Sequence, residues 1–190
     1  MMLTRLITWI ALVLGLAILV ASVDTLAFKG CGMRSILEGI FSDKSLRPVA
    51  LSELKRPRTP NSYLAADGDQ TQEKTSAPAL RLAMPVERAQ ELVREIMLDT
   101  FGAEERESEH GLLFIDRSAL MRFPDGLYAW FDQVEGEGGA GTMTRVALFS
   151  RSVYGRRDFG VNLARVDILK RMLESRDGTD AAAAENTAEN

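Results

Sequence analysis

Residues 6–23 read LITWIALVLGLAILVASV, an apolar run broken only by Thr8, Gly15 and Ser22. As a helix rising about 1.5 Å per residue, the run spans about 27 Å, close to the ~30 Å hydrocarbon layer of a bilayer. The sequence therefore predicts an N-terminal transmembrane helix. A cleaved signal peptide is the competing reading, since Thr25-Leu26-Ala27 places small residues where a peptidase cuts. The run is longer than the roughly 7–15 residues of a usual signal core. Either reading exports the chain beyond the run, which predicts a single-pass protein of the inner (cytoplasmic) membrane with its soluble domain on the periplasmic side. Arg5 favours a cytoplasmic N-terminus, while Lys29 and Arg34 weaken that bias. Cys31 stands behind Phe28-Lys29-Gly30, too far past the run to be a lipoprotein cysteine.

Part of the 46% hydrophobic content sits in that run, so the figure says little about a core. A net charge of -4 gives no reason to expect a nucleic-acid partner. One cysteine excludes an internal disulfide. With His110 the lone histidine, a Cys/His zinc cluster is missing and a histidine-based triad is nearly excluded. No metal and no cofactor are expected.

Residues 1–23 are the anchor or signal segment, and 24–56 a juxtamembrane helix and linker. Within the latter, MRSILEGIF spaces Met33, Ile36, Leu37 and Ile40 at helical intervals. Such a helix either lies on a membrane surface or packs on the domain. From Ser42 to Ala79 the composition turns polar, with Pro48, Pro57, Pro60 and Pro78 scattered through it, which reads as linker or extended arm. Residues 175–190 lack apolar periodicity and are expected to be a disordered tail.

The soluble domain is expected over 57–174. Pro85 opens a helix with Val86, Ala89, Val93, Ile96 and Met97 on one stripe, and Gly102 is placed to stop it. Three strand candidates come next, over 111–123, 127–134 and 142–151. FPDG at 123–126 is the expected first turn, and the glycine-rich residues 135–141 the second connection. That connection lacks the Gly-Lys-Ser/Thr ending of a phosphate loop. A last helix runs to Leu173. The pattern is α+β, a three-stranded or slightly larger antiparallel sheet with two helices on one face.

Polar residues crowd the corner between the third strand and the last helix. At about 100° per residue, Val166, Leu169 and Leu173 share one side of that helix. If the helix extends back to Asp158, then Asp158, Asn162 and Arg165 fall in the same sheet-facing stripe, where a bare polar group costs several kcal/mol unless it is paired. Asp158 is expected to accept from Arg165 or to cap nearby amides, and Asn162 to bridge to strand backbone. Arg151, Arg156 and Arg157 surround the corner. Three readings stand side by side: a polar staple that fastens helix to sheet, a binding site for an anion or headgroup, and a catalytic site. For catalysis, Ser150 and Ser152 lack an obvious base. Asp116, Asp125 and Asp132 are the available carboxylates.

These residues also carry a resemblance. Ser150-Arg151-Ser152, Tyr154-Gly155, Asp158-Phe159-Gly160-Val161-Asn162 and Arg165 are similar to the SxSRxGxxDxGxNxxR ending of the family catalogued as domain of unknown function 1499. Pro60-Asn61-Ser62 resembles its opening Pro-Asn segment, and Phe123-Pro124-Asp125 its mid-domain turn. Where the family often has cysteine this chain has Ser62, and where it has a second turn aspartate this chain has Gly126. The resemblance implies an envelope-associated α+β domain over residues 57–173, with the Pro60-Asn61 arm laid against the sheet.

The leading expectation is a membrane-anchored, non-catalytic envelope domain that binds a partner protein or a lipid-derived ligand. Its binding residues would be Arg151, Arg156, Arg157, Asp158, Asn162 and Arg165. The rival is a hydrolase or transferase using the corner around Ser150, Arg151, Asp158 and Asn162.

Overall fold

The computed structural model describes residues 33–119, 121–136 and 141–188. The chain divides into two compact units, Met1–Phe41 and Ser42–Asn190. In the first, the expected short helix forms as α1 (Met33–Ile40). Ile36 and Ile40, one turn apart, are both exposed. The apolar run 6–23 lies outside the described residues. Among the described residues no helix is long and apolar enough to cross a membrane.

The second unit is α+β, and its sheet is larger than the three strands expected. Among the described residues six strands form it: β1 (Ser62–Ala65), β2 (Leu80–Leu82), β3 (Glu104–Arg106), β4 (Leu112–Arg117), β5 (Pro124–Glu135) and β6 (Thr142–Ser152). They are ordered β1-β6-β5-β4-β3, with β2 also paired to β6. Every pairing is antiparallel. The extra strands are three or four residues long, too short to show a period of their own. The first turn also sits earlier than expected. Ser118 N–H donates to Phe123 O at 3.0 Å and Arg122 N–H to Ser118 O at 3.0 Å, closing the loop at 118–123. Pro124, Asp125 and Gly126 then belong to β5, opposite Arg117, Asp116 and Ile115.

Two helices cover one face, as the apolar stripes require. The first is α2 (Val86–Glu95), extended by a π-helical turn over Ile96–Thr100. Gly102, at φ 61, ends it by donating to Leu98 O. The second is α3 (Val161–Ala188). Ala89, Leu92, Val93, Ile96 and Met97 of α2 and Val166, Leu169 and Leu173 of α3 pack on Leu82, Phe114, Leu127, Val146 and Leu148. The last helix does not stop at Leu173. It continues through the stretch expected to be a tail, and Asp177 accepts from Ala83 N–H at 3.0 Å and Met84 N–H at 3.1 Å, just ahead of α2.

The opposite face is covered by the segment read as linker. Leu46, Leu51 and Leu54 are buried on Leu64, Leu113, Ile115, Tyr128, Trp130 and Phe149. Val49 O accepts from Trp130 Nε1 at 2.9 Å, and Asp43 pairs with Arg117 at 2.6 Å and Arg106 at 2.7 Å. Gly126 makes room for this strap, since a Cβ there would stand 2.7 Å from Leu46 Cδ2. With both faces buried, β4 reads Leu-Leu-Phe-Ile without alternation.

Candidate functional site

The corner forms where β6 ends and α3 begins. Ser150 and Ser152 lie two apart on β6 and so point to the same face, toward α3. From α3, Asn162 and Arg165 reach back at helical spacing. The backbone turns through two left-handed residues, Phe159 (φ 53) and Gly160 (φ 84). Asp158 caps the helix from outside it: Oδ1 accepts from Gly160 N–H at 3.2 Å and Oδ2 from Asn162 N–H at 3.1 Å.

Asn162 is the junction. Its Nδ2 donates to Asn61 O at 2.9 Å, Ser152 Oγ at 3.1 Å and Asp158 Oδ2 at 2.7 Å. Its Oδ1 accepts from Ser150 Oγ at 2.6 Å and Arg165 Nη1 at 3.2 Å. Asn61 closes the arrangement from the arm, its Nδ2 donating to Ser152 O at 3.2 Å and Gly155 O at 2.9 Å. The Pro60-Asn61 arm is thus fastened to the domain, as the resemblance implied. The arm and the strand-to-helix corner, 101 residues apart at the bond from Asn162 to Asn61, meet in one buried network.

Arg165 has different partners from those expected. Asp158 does not pair with it. Instead Nη2 meets Asp116 Oδ2 at 2.6 Å and Asp125 Oδ2 at 3.1 Å, and Nε adds a second bond to Asp116 at 3.2 Å. These carboxylates stand opposite each other on β4 and β5. Arg165, bonded to both, offsets the repulsion between two like charges that face each other. Arg165 is 5% exposed, and Nη1 also donates to Ser150 Oγ at 2.9 Å.

Two carboxylates of the corner have shifted acidity, in opposite directions. Burial raises Asp125 above its ordinary value, against the pull of Arg165 and a hydrogen bond from Ser152. Burial pushes Asp158 upward too, but hydrogen bonds from the Asn162 amide and from the backbone of Asn162 and Gly160 outweigh it, and Asp158 ends lowered. A carboxyl raised on folding holds its proton more tightly folded than unfolded. Stability from Asp125 therefore grows as pH falls from neutral toward the ordinary carboxylate range. Asp158, lowered on folding, contributes stability that is present above that range and is lost as pH falls below it. Urea unfolding of the parent and Asp125→Asn at stepped pH should show the difference shifting in the parent's favour on acidification. A pH-independent difference would contradict this.

The remaining expected residues fall outside the network. Arg151 follows Ser150 on the strand, so it points to the strap face, where its charge acts on Tyr128. Its Nε has no hydrogen-bond partner among the described residues. Arg156 and Arg157 are exposed on the loop beside the corner. Asp132 belongs elsewhere, bonded to Arg145 at 2.5 Å with Asp69 at 2.8 Å. His110 precedes β4, at the end away from Asp116. Asn61 was legible only through the family resemblance, and nothing in the sequence pairs Asp116 and Asp125 with Arg165.

Chemically the corner is spent on itself. Ser150 is wholly buried, and its Oγ has an amide oxygen on one side and a guanidinium on the other. Neither takes a proton, so the hydroxyl lacks the base a nucleophile needs. Among the described residues, no three His, Cys, Asp or Glu side chains gather in a way that could hold a metal ion. The sequence model of the family described as Protein of unknown function (DUF1499) matches residues 54–173, more than half of the chain, and the chain belongs to that family. No curated protein and no solved structure matches it.

Proposed function

We propose that this member of the family is a membrane-anchored, non-catalytic envelope domain whose polar corner is a structural staple and whose exposed surface beside it binds a partner. The observation that carries this reading is the closed network: Asn61, Ser150, Asn162 and Arg165 are buried and spend their polar groups on one another and on Asp116, Asp125, Asp158 and Ser152. A site built to turn over a substrate keeps at least one reactive group free and reachable. The hydrolase or transferase alternative at Ser150 lacks that support.

Anchoring rests on the apolar run 6–23 and its span-length match to a bilayer. Two exposed isoleucines on α1 fit a helix at the membrane surface. Inner-membrane location with the domain on the periplasmic side is inferred from the same run. Fractionation tests it. The full chain should stay in the membrane pellet through a carbonate wash, and the chain lacking residues 1–23 should move to the supernatant. Recovery of a mature form beginning near Phe28 in the supernatant would replace the anchor with a cleaved signal peptide.

A further inference from the structure

We infer that the loop at 153–160 is a lipid-contacting tip, which lays Phe159 and the guanidinium groups of Arg156 and Arg157 onto an anionic bilayer surface. This rests on the membrane-anchored reading above and names the partner that the exposed surface takes. Phe159 is the first reason. It is 95% exposed, so the protein itself makes almost no use of its ring. It also sits at φ 53, a conformation that a bulky residue adopts at a cost and glycine adopts freely. The corner needs a left-handed residue there, but nothing in the fold needs that residue to be an exposed aromatic. Strain held without a packing return points to a role outside the fold.

Charge is the second reason. Arg156 and Arg157 are exposed and have no ion-pair partner among the described residues. The loop's one carboxylate, Asp158, is turned inward as the helix cap. An aromatic beside unpaired cations matches an interface where apolar chains lie under anionic headgroups. Position is the third. The Tyr154 hydroxyl of this loop donates to Ser42 O at 3.2 Å, so the loop lies against the first residue of the second unit. Beside it, the ring of Phe123 is 5.9 Å from that of Tyr154, and the same 118–123 turn exposes Met121. Two loops at one end thus carry apolar tips.

The test places a nitroxide at Phe159→Cys in the full chain, with the native cysteine replaced (Cys31→Ser). The labelled chain is reconstituted into nanodiscs of phosphatidylcholine alone or with phosphatidylglycerol. In the anionic bilayer the label should lose collisions with an aqueous nickel relaxant and gain them with oxygen. A label at Glu174, on the exposed side of α3, should stay in water. Arg156→Glu with Arg157→Glu should return the 159 label to water. Phe159→Gly, which relieves the left-handed strain, should raise the melting temperature while a label at Arg157→Cys loses its bilayer contact. A 159 label equally wet in both bilayers overturns the inference. So does a label immobilised in both without oxygen contact, the signature of a protein partner. Should the carbonate wash release the chain, the anchoring reading fails separately, and the same label then reports docking on added vesicles of the two compositions.

Discussion

Arg165→Ala should lower the melting temperature by roughly 10–20 °C. The substitution leaves Asp116 and Asp125 face to face across β4 and β5 with their shared cation gone, and removes a donor from Ser150. Breaking a buried ion pair from one side costs about 3–5 kcal/mol, and each kcal/mol moves the midpoint of a unit this size by a few degrees. Asp158→Ala should do far less. Asp158 never touches the guanidinium, so its loss removes a helix cap worth about 0.5–2 kcal/mol. Arg165→Met combined with Asp116→Asn and Asp125→Asn should recover much of the loss, because charges removed together leave none stranded. Thermal unfolding of the full chain in detergent, followed by fluorescence, reads all of these. An unchanged midpoint in Arg165→Ala would end the staple reading.

Larger still is the effect expected on the strap. Leu46, Leu51 and Leu54 are each less than a tenth exposed. Burying a leucine contributes about 1.5–3 kcal/mol, so the three together approach the 5–15 kcal/mol that holds a typical domain together. Replacing all three with serine should abolish the cooperative transition. A fragment starting at Lys55 should fail in the same way, and one starting at Ser42 should fold. The family match begins at Leu54, after most of the strap, so its boundary understates what the fold needs. A cooperative melt from the Lys55 fragment would show the strap to be dispensable.

What the sequence made legible were features with a period. Helical spacing marked α2 and the inward stripe of α3. It brought Asn162 and Arg165 to one face, and the strand pattern located β5 and β6 to within a few residues. Features without a period stayed hidden. The strap's leucines are irregularly spaced among prolines and charges, so residues 42–56 read as linker although they seal a sheet face. A signal was nonetheless there: unbroken apolar runs in β4 and β6 imply a sheet buried on both sides, and only one side had helices to cover it. The partners of Arg165 were hidden for another reason. Asp116 and Asp125 lie 49 and 40 residues away, and their meeting depends on strand register, which a turn misplaced by a few residues conceals.

The position of β6 in the sheet has a consequence for the order of events as the chain is made. β6 pairs with β1, β2 and β5, yet it comes after all of them in sequence. A chain emerging N-terminus first carries β1 and β2 with unpaired edges until β6 arrives, and the bond from Asn162 to Asn61 spans 101 residues. Contacts so remote in sequence must overcome loop closure before they repay it, which places such topologies among the slower folders. Over that interval the strap leucines and the bare edges of β1, β2 and β5 are open to neighbouring chains. The meander β3-β4-β5 can form first, but β1 and β2 wait on β6, and the sheet of this domain closes only once β6 has been made.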